Sequence, residues 1–194
     1  MGPALAVAFA LAAGPAPPAG PAPLAATDKK SAYRLDKLRV GPSPRPPARA
    51  GQRAVRPLFA RHAWTDEIVA LEGVSGALLD DFLRCHFTRT VRPIPARLLD
   101  VVRATARTFD TRKVLVISGY RSDKYNLWLR KKGREVARRS QHTRANAIDF
   151  RPVGADIRAV YRHLRATHDG GVGFYPVTRF VHVDLGRRRT WRGR

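Results

Sequence analysis

Cysteine is nearly absent from this 194-residue chain, and the single one, Cys85, excludes an internal disulfide framework and any cysteine-rich zinc finger or ribbon. Acidic residues are scarce too: 15 Asp and Glu stand against 37 Lys and Arg, for a formal charge of +22 and a field that favours polyanions. Long apolar runs are missing. The one long uncharged stretch, residues 1–26, carries six prolines and never reaches the roughly 18 unbroken apolar residues of a spanning helix, so a membrane channel is excluded. What is present is 44% hydrophobic and 8% aromatic residues, enough for a packed core in a chain of one domain plus a tail.

Residues 3–13 have the length and small-residue character of a signal-peptide apolar region, and Pro23 to Ala26 offers small residues for cleavage, although basic residues before the run are lacking. Residues 1–26 are therefore expected to be an export signal or a low-complexity leader. Residues 27–56 hold nine Lys and Arg, two Asp and four Pro without apolar periodicity, which predicts a disordered basic linker. The folded domain is expected over residues 57–194. There, Leu78, Leu79, Phe82 and Leu83 fall at helical spacing, and Pro95 opens a second helix with Leu98, Leu99, Val102, Ala106 and Phe109 on one face. Val114 to Ser118 reads as a strand, the stretch from Asp123 to Gly133 as a helix, Ala145 to Phe150 as extended, and Asp156 to His168 as helical. Three short strands close the chain. Helices first and clustered strands later predict an α+β domain with a small, mainly antiparallel sheet and flanking helices.

Two of the six histidines lie beside a strand-borne carboxylate, in Ser140-Gln-His-Thr-Arg-Ala-Asn-Ala-Ile-Asp149 and in Phe180-Val-His-Val-Asp184. Strand alternation sends Ile148 and Phe150 to one face and Asp149 to the other; likewise Val181 and Val183 face the core while His182 and Asp184 share the opposite side. Neighbouring antiparallel strands would present Asp149 and His182 together, and the loop seven residues upstream can bring His142 over them. Two His and one carboxylate make a zinc site with an open fourth position, which is what metal-assisted hydrolysis requires. On spacing alone, ordinary polar side chains and pairing of the aspartates with the many arginines remain open.

Ser140-x-His142, Ala147-x-Asp149, the run Gly170-Gly171-Val172-Gly173-Phe174-Tyr175-Pro176 and Phe180-Val-His-Val-Asp184-x-Gly186 occur in an order that resembles the zinc murein peptidases of the lysostaphin, D-Ala-D-Ala metallopeptidase and hedgehog group. Ile117-Ser-Gly-Tyr-Arg-Ser122 and the stretch ending at Ala137 are most similar to the periplasmic murein endopeptidase K type. The likeness runs from about residue 57 to 191. It implies a hedgehog/D-Ala-D-Ala metallopeptidase-like fold, Zn²⁺ held by His142, Asp149 and His182, a substrate-binding Arg121, and Ser140 orienting a ligand. It also implies hydrolysis of stem-peptide or crosslink bonds in peptidoglycan by a periplasmic or secreted protein.

Two departures from the group's pattern bear on the site. Where the group has Gly-Arg this chain has Ala145-Asn146, which is tolerable if the backbone avoids positive φ. Where many members place a carboxylate three residues before the last His, Arg179 stands, and arginine cannot take a proton. Asp184 is then the nearest carboxylate for a general base, with orienting His182 or pairing within Arg187 to Arg189 as its other roles. Tyr175 is expected to pack, and His62, His86, His163 and His168 to be surface or packed residues. A catalytically inactive wall-binding relative and a nucleic-acid-binding protein are the competing functions; no nucleic-acid motif appears, and aromatics do not interleave with the basic runs.

Overall fold

A computed structural model describes residues 56–73, 76–134 and 136–194. The expected leader, residues 1–26, and the expected linker, residues 27–56, lie outside the described residues except for Arg56. The elements in chain order are β1 (Phe59–His62), β2 (Ile68–Ala70), α1 (Gly76–Phe82), α2 (Ala96–Thr108), β3 (Lys113–Ser118), α3 (Asp123–Lys131), a 3-10 turn (Gln141–Arg144), β4 (Ala147–Pro152), α4 (Ile157–Thr167), β5 (Gly171–Tyr175), β6 (Phe180–Asp184) and β7 (Arg189–Arg192).

The strands form one seven-stranded sheet in the order β2-β1-β3-β4-β6-β5-β7. The class is α+β as expected, but the sheet is mixed rather than mainly antiparallel. The junctions β1–β3 and β5–β7 are parallel, while β1–β2, β3–β4, β4–β6 and β5–β6 are antiparallel. Each parallel junction needs a crossover, since parallel neighbours cannot be joined by a tight turn. The first crossover runs through α1 and α2; the second runs through β6. Strands β1 and β2 are additional to the expected elements; β1 buries Ala60 and His62 while Phe59 is exposed, so its burial does not follow an apolar alternation.

One sheet face carries the core. Val114, Val116, Ile148, Phe150, Val181 and Val183 are buried there, in one apolar cluster with Leu98, Leu99, Val102 and Ala106 of α2 and Ile157, Val160 and Leu164 of α4. The helices fit this face because their apolar residues recur every three to four positions. The start of α4 is set by Asp156, whose carboxylate accepts the backbone N–H groups of Arg158 and Ala159, a cap worth about 1 kcal/mol. Ser122 caps α3 in the same way through the N–H of Tyr125. Full burial of each large apolar side chain contributes about 1.5–3 kcal/mol, so this layer holds β4 and β6 rigidly. The residues between them in sequence necessarily point to the other face.

Candidate metal centre

On that other face Asp149 of β4 and His182 of β6 are direct register partners, and Asp184 lies on the same side of β6, as strand alternation requires. In β3 the register slips between Val116 and Ser118, a bulge that sets Ser118 opposite Asp149 and lets the chain turn toward Arg121. His142 arrives from the 3-10 turn. Its backbone N–H is accepted by the Ser140 hydroxyl at 3.3 Å, and its carbonyl accepts the N–H of Arg121 at 3.0 Å. Ser140 thus acts on the turn that carries His142, consistent with a supporting role.

Three donor atoms converge. Asp149 Oδ1 lies 2.7 Å from His182 Nδ1 and 3.1 Å from His142 Nε2, and the two ring nitrogens are 3.1 Å apart. All three residues are buried. The outer nitrogens settle the tautomers: His142 Nδ1–H donates to the Gly119 carbonyl at 2.7 Å, and His182 Nε2–H donates to Asp184 Oδ2 at 2.9 Å. Without a metal, a proton on His182 Nδ1 donated to Asp149 Oδ1 holds their 2.7 Å contact; when a metal displaces that proton, both imidazoles are neutral and turn their lone pairs toward the ion. The edges of this triangle are a few tenths of an ångström shorter than the roughly 3.3 Å edge of a tetrahedral face with ligand distances of about 2.0–2.1 Å, so a small outward shift of the side chains admits an ion. The donor set can therefore hold a metal ion.

The electrostatics agree. Burial pushes His142 below its ordinary pKa, and Asp149 only partly offsets this. Burial acts the same way on His182, but hydrogen bonds and charges from Asp149 and Asp184 outweigh it and raise the pKa. For Asp149 burial opposes ionisation, yet His142 and His182 hold its carboxyl far below the usual range. The centre thus keeps its carboxylate ionised and favours one bound cation.

Asp184, read from the sequence as the nearest carboxylate for a general base or else as a group that orients His182 or pairs with an arginine, meets the outer nitrogen of His182. It sits at the far edge of the His182 ring from the converging donors and is wholly buried. Its oxygens accept from His182 Nε2, the Gly186 N–H at 2.8 Å and both terminal nitrogens of Arg189. These contacts hold the His182 ring and pair Asp184 with Arg189. Burial opposes its ionisation, but these partners keep its carboxyl well below the ordinary range.

Arg121 is buried rather than solvated; its Nη2 lies 3.4 Å from both Asp149 Oδ2 and the Ser118 hydroxyl. Its Nε is buried with no hydrogen-bond partner among the described residues. The other histidines stay out of the centre. His62 and His86 join an aromatic cluster with Phe82, Trp64 and Tyr125, His163 meets Phe109 edge-on, and His168 Nε2 contacts the Asp184 carbonyl at 2.9 Å.

The Ala145-Asn146 departure has a cost after all. Ala145 closes the 3-10 turn in the left-handed region, at φ +56° and ψ 27°. For alanine this costs about 1–2 kcal/mol. In Ala145→Gly that relief is offset by about 0.5–1 kcal/mol of backbone entropy and about 0.8 kcal/mol for a lost buried methyl, so stability should stay within about 1 kcal/mol of the parent. Ala145→Val, β-branched at positive φ, is expected to lose about 2 kcal/mol or more in urea unfolding of the metal-free protein.

Residues 66–191, about two thirds of the chain, match the family model described as peptidoglycan L,D-endopeptidase MepK. The chain belongs to this family. Over 81 residues it is 43% identical to the probable peptidoglycan L,D-endopeptidase MepK of Haemophilus influenzae, covering 42% of this chain and 44% of the relative. Over 116 residues it is 37% identical to peptidoglycan L,D-endopeptidase MepK of Escherichia coli (strain K12), covering 59% of this chain and 64% of the relative. The chain thus spans less than two thirds of the length of these MepK relatives. No solved structure shows significant similarity to it. Every residue of the converging triangle, with Arg121 and Asp184, falls inside the segment matched by the MepK family model. No helix among the described residues is long and apolar enough to cross a membrane.

Proposed function

We propose that the chain is an exported zinc metallopeptidase that hydrolyses L,D peptide bonds in the crosslinks of bacterial peptidoglycan. The observation that carries this reading is the triangle of His142 Nε2, Asp149 Oδ1 and His182 Nδ1, in a chain whose family and relatives bear the peptidoglycan L,D-endopeptidase name. Zinc bound there would supply an acidified water and Lewis-acid polarisation of the scissile carbonyl. His142 and His182 present their lone pairs to the ion because Gly119 and Asp184 hold their opposite nitrogens as donors. Asp149 supplies the negative charge. Arg121, held beside Asp149, offers a fixed guanidinium for a carboxylate of the acidic stem peptide.

Metal-loaded protein incubated with purified peptidoglycan, followed by mass analysis of released fragments, tests the reading. Fragments cut at the L,D bond support it; cleavage only at D,D bonds, or none with zinc bound, overturns it. Arg121→Lys keeps the charge but loses the planar fork, so kcat/KM on a soluble crosslinked peptide should fall by about tenfold or more, the equivalent of one charged hydrogen bond. Unchanged kinetics would remove Arg121 from substrate binding.

A further inference from the structure

The imidazole of His182 is held by more than its own strand. From β7, the Arg189 guanidinium spans the Asp184 carboxylate, with Nη1 at 3.1 Å from Oδ1 and Nη2 at 2.7 Å from Oδ2, and Asp184 in turn accepts from His182 Nε2. Two residues on, and so on the same strand face, Trp191 packs its ring 5.0 Å from the His182 imidazole, tilted by 56°. The Arg189 guanidinium lies 4.9 Å from the Trp191 ring centroid, and the indole N–H donates to the Tyr175 hydroxyl at 3.1 Å. Tyr175 is itself stacked on Phe180 at 4.4 Å.

These contacts reach across a strand, because β5 lies between β7 and β6. They pass only because β5 carries no side chain there. A Cβ at Gly171 would lie 2.4 Å from Asp184 Oδ2 and 2.6 Å from Arg189 Nη1, and one at Gly173 would lie 2.6 Å from the Trp191 ring. The two glycines form a notch through which β7 touches β6.

We propose that β7 is a brace for the metal centre. Arg189, acting through Asp184, and Trp191, acting by direct packing, are positioning residues that keep His182 Nδ1 turned toward His142 and Asp149 and thereby set metal affinity. The proposal rests on these three residues being the metal ligands. A free imidazole would lose rotational freedom on binding the ion; in the braced one that freedom is already lost on folding.

The test uses the full chain and Zn²⁺ alone, with affinity read by competition against a chromophoric chelator and the metal-free melting midpoint recorded alongside. Arg189→Met is expected to weaken zinc binding by about ten- to a hundredfold, the range for outer partners of a metal ligand. Arg189→Lys should recover only part of this, since an ammonium cannot span both oxygens. Trp191→Leu should weaken binding severalfold, and Trp191→Phe should stay near the parent. If Arg189→Met does not fold, Arg189→Lys and Trp191→Leu decide. Parental affinity in those folded variants, or a lowered metal-free midpoint with affinity unchanged, overturns the brace. If His142→Ala keeps parental affinity, the ligand assignment fails instead, which separates the two failures.

Discussion

Added zinc is expected to stabilise the parent protein, and replacing His142 by alanine to abolish that stabilisation. A ligand that binds only the folded state stabilises it by RT ln(1 + [L]/Kd), about 2.7 kcal/mol at a hundredfold excess over Kd. In the parent, zinc would replace the proton that the His182–Asp149 hydrogen bond holds and would join three donor atoms lying within 3.1 Å of one another. Without His142 only two donors remain, and affinity should fall by more than the ten- to hundredfold that losing an outer partner costs. Turnover on crosslinked peptide should fall to background at the same time. The metal-free midpoint is the control, because the substitution also removes the bond from Nδ1 to the Gly119 carbonyl. A His142→Ala protein that still melts higher in the presence of zinc would show that the triangle is not the metal site.

Much of this centre is legible in the sequence because strand alternation is a two-state code. Once Ile148, Phe150, Val181 and Val183 are assigned to the core, Asp149 and His182 have only one face left, and the register places them opposite each other. The helices α2 and α4 are legible for a similar reason, since their apolar residues repeat at the helical period. Sheet order is different in kind. The parallel junctions depend on which distant strands meet, and nothing local in Phe59–His62 or Arg189–Arg192 states that they flank β3 and β5. Asp184 shows the same limit on a smaller scale. Its face is readable, but that it meets the far nitrogen of His182 depends on the rotamer of that ring. Likewise, the run Arg187 to Arg189 contains the partner of Asp184, yet only the β5–β7 register picks out Arg189. The Gly-rich run before β6 was the available sign of the brace, because strand glycines mark places where another group comes close.

Acid is expected to destabilise the protein well above the pH at which its carboxylates titrate. His62 is buried, and its Nδ1 accepts the backbone N–H of Trp64 at 3.2 Å, which requires the neutral ring. Burial, only partly opposed by Glu67 and aided by Arg84, lowers its pKa to about 4. His86 is clamped between Trp64, stacked at 5.3 Å, and Tyr125, edge-on at 4.7 Å; burial, with His62 and Arg121 adding to it, lowers its pKa to about 3. In the unfolded chain both titrate near 6.5. As pH falls from about 6.5 toward 4, the unfolded state therefore binds more protons than the folded one, and stability drops over that window. Above it these two groups have no effect. At 1.36 kcal/mol per unit, the loss by pH 4 is on the order of 3 kcal/mol for each, a large part of a typical 5–15 kcal/mol. His142, with its lowered pKa, acts in the same direction and His182, with its raised one, in the opposite direction. A subtraction is therefore needed. His86→Phe keeps an aromatic ring between Trp64 and Tyr125 but cannot take a proton, so its unfolding free energy should fall about half as steeply between pH 6.5 and 4. Urea titrations of both proteins across this window measure the difference. Equal slopes, or a parent whose stability is flat down to pH 4.5, would show that these imidazoles charge freely in the folded state.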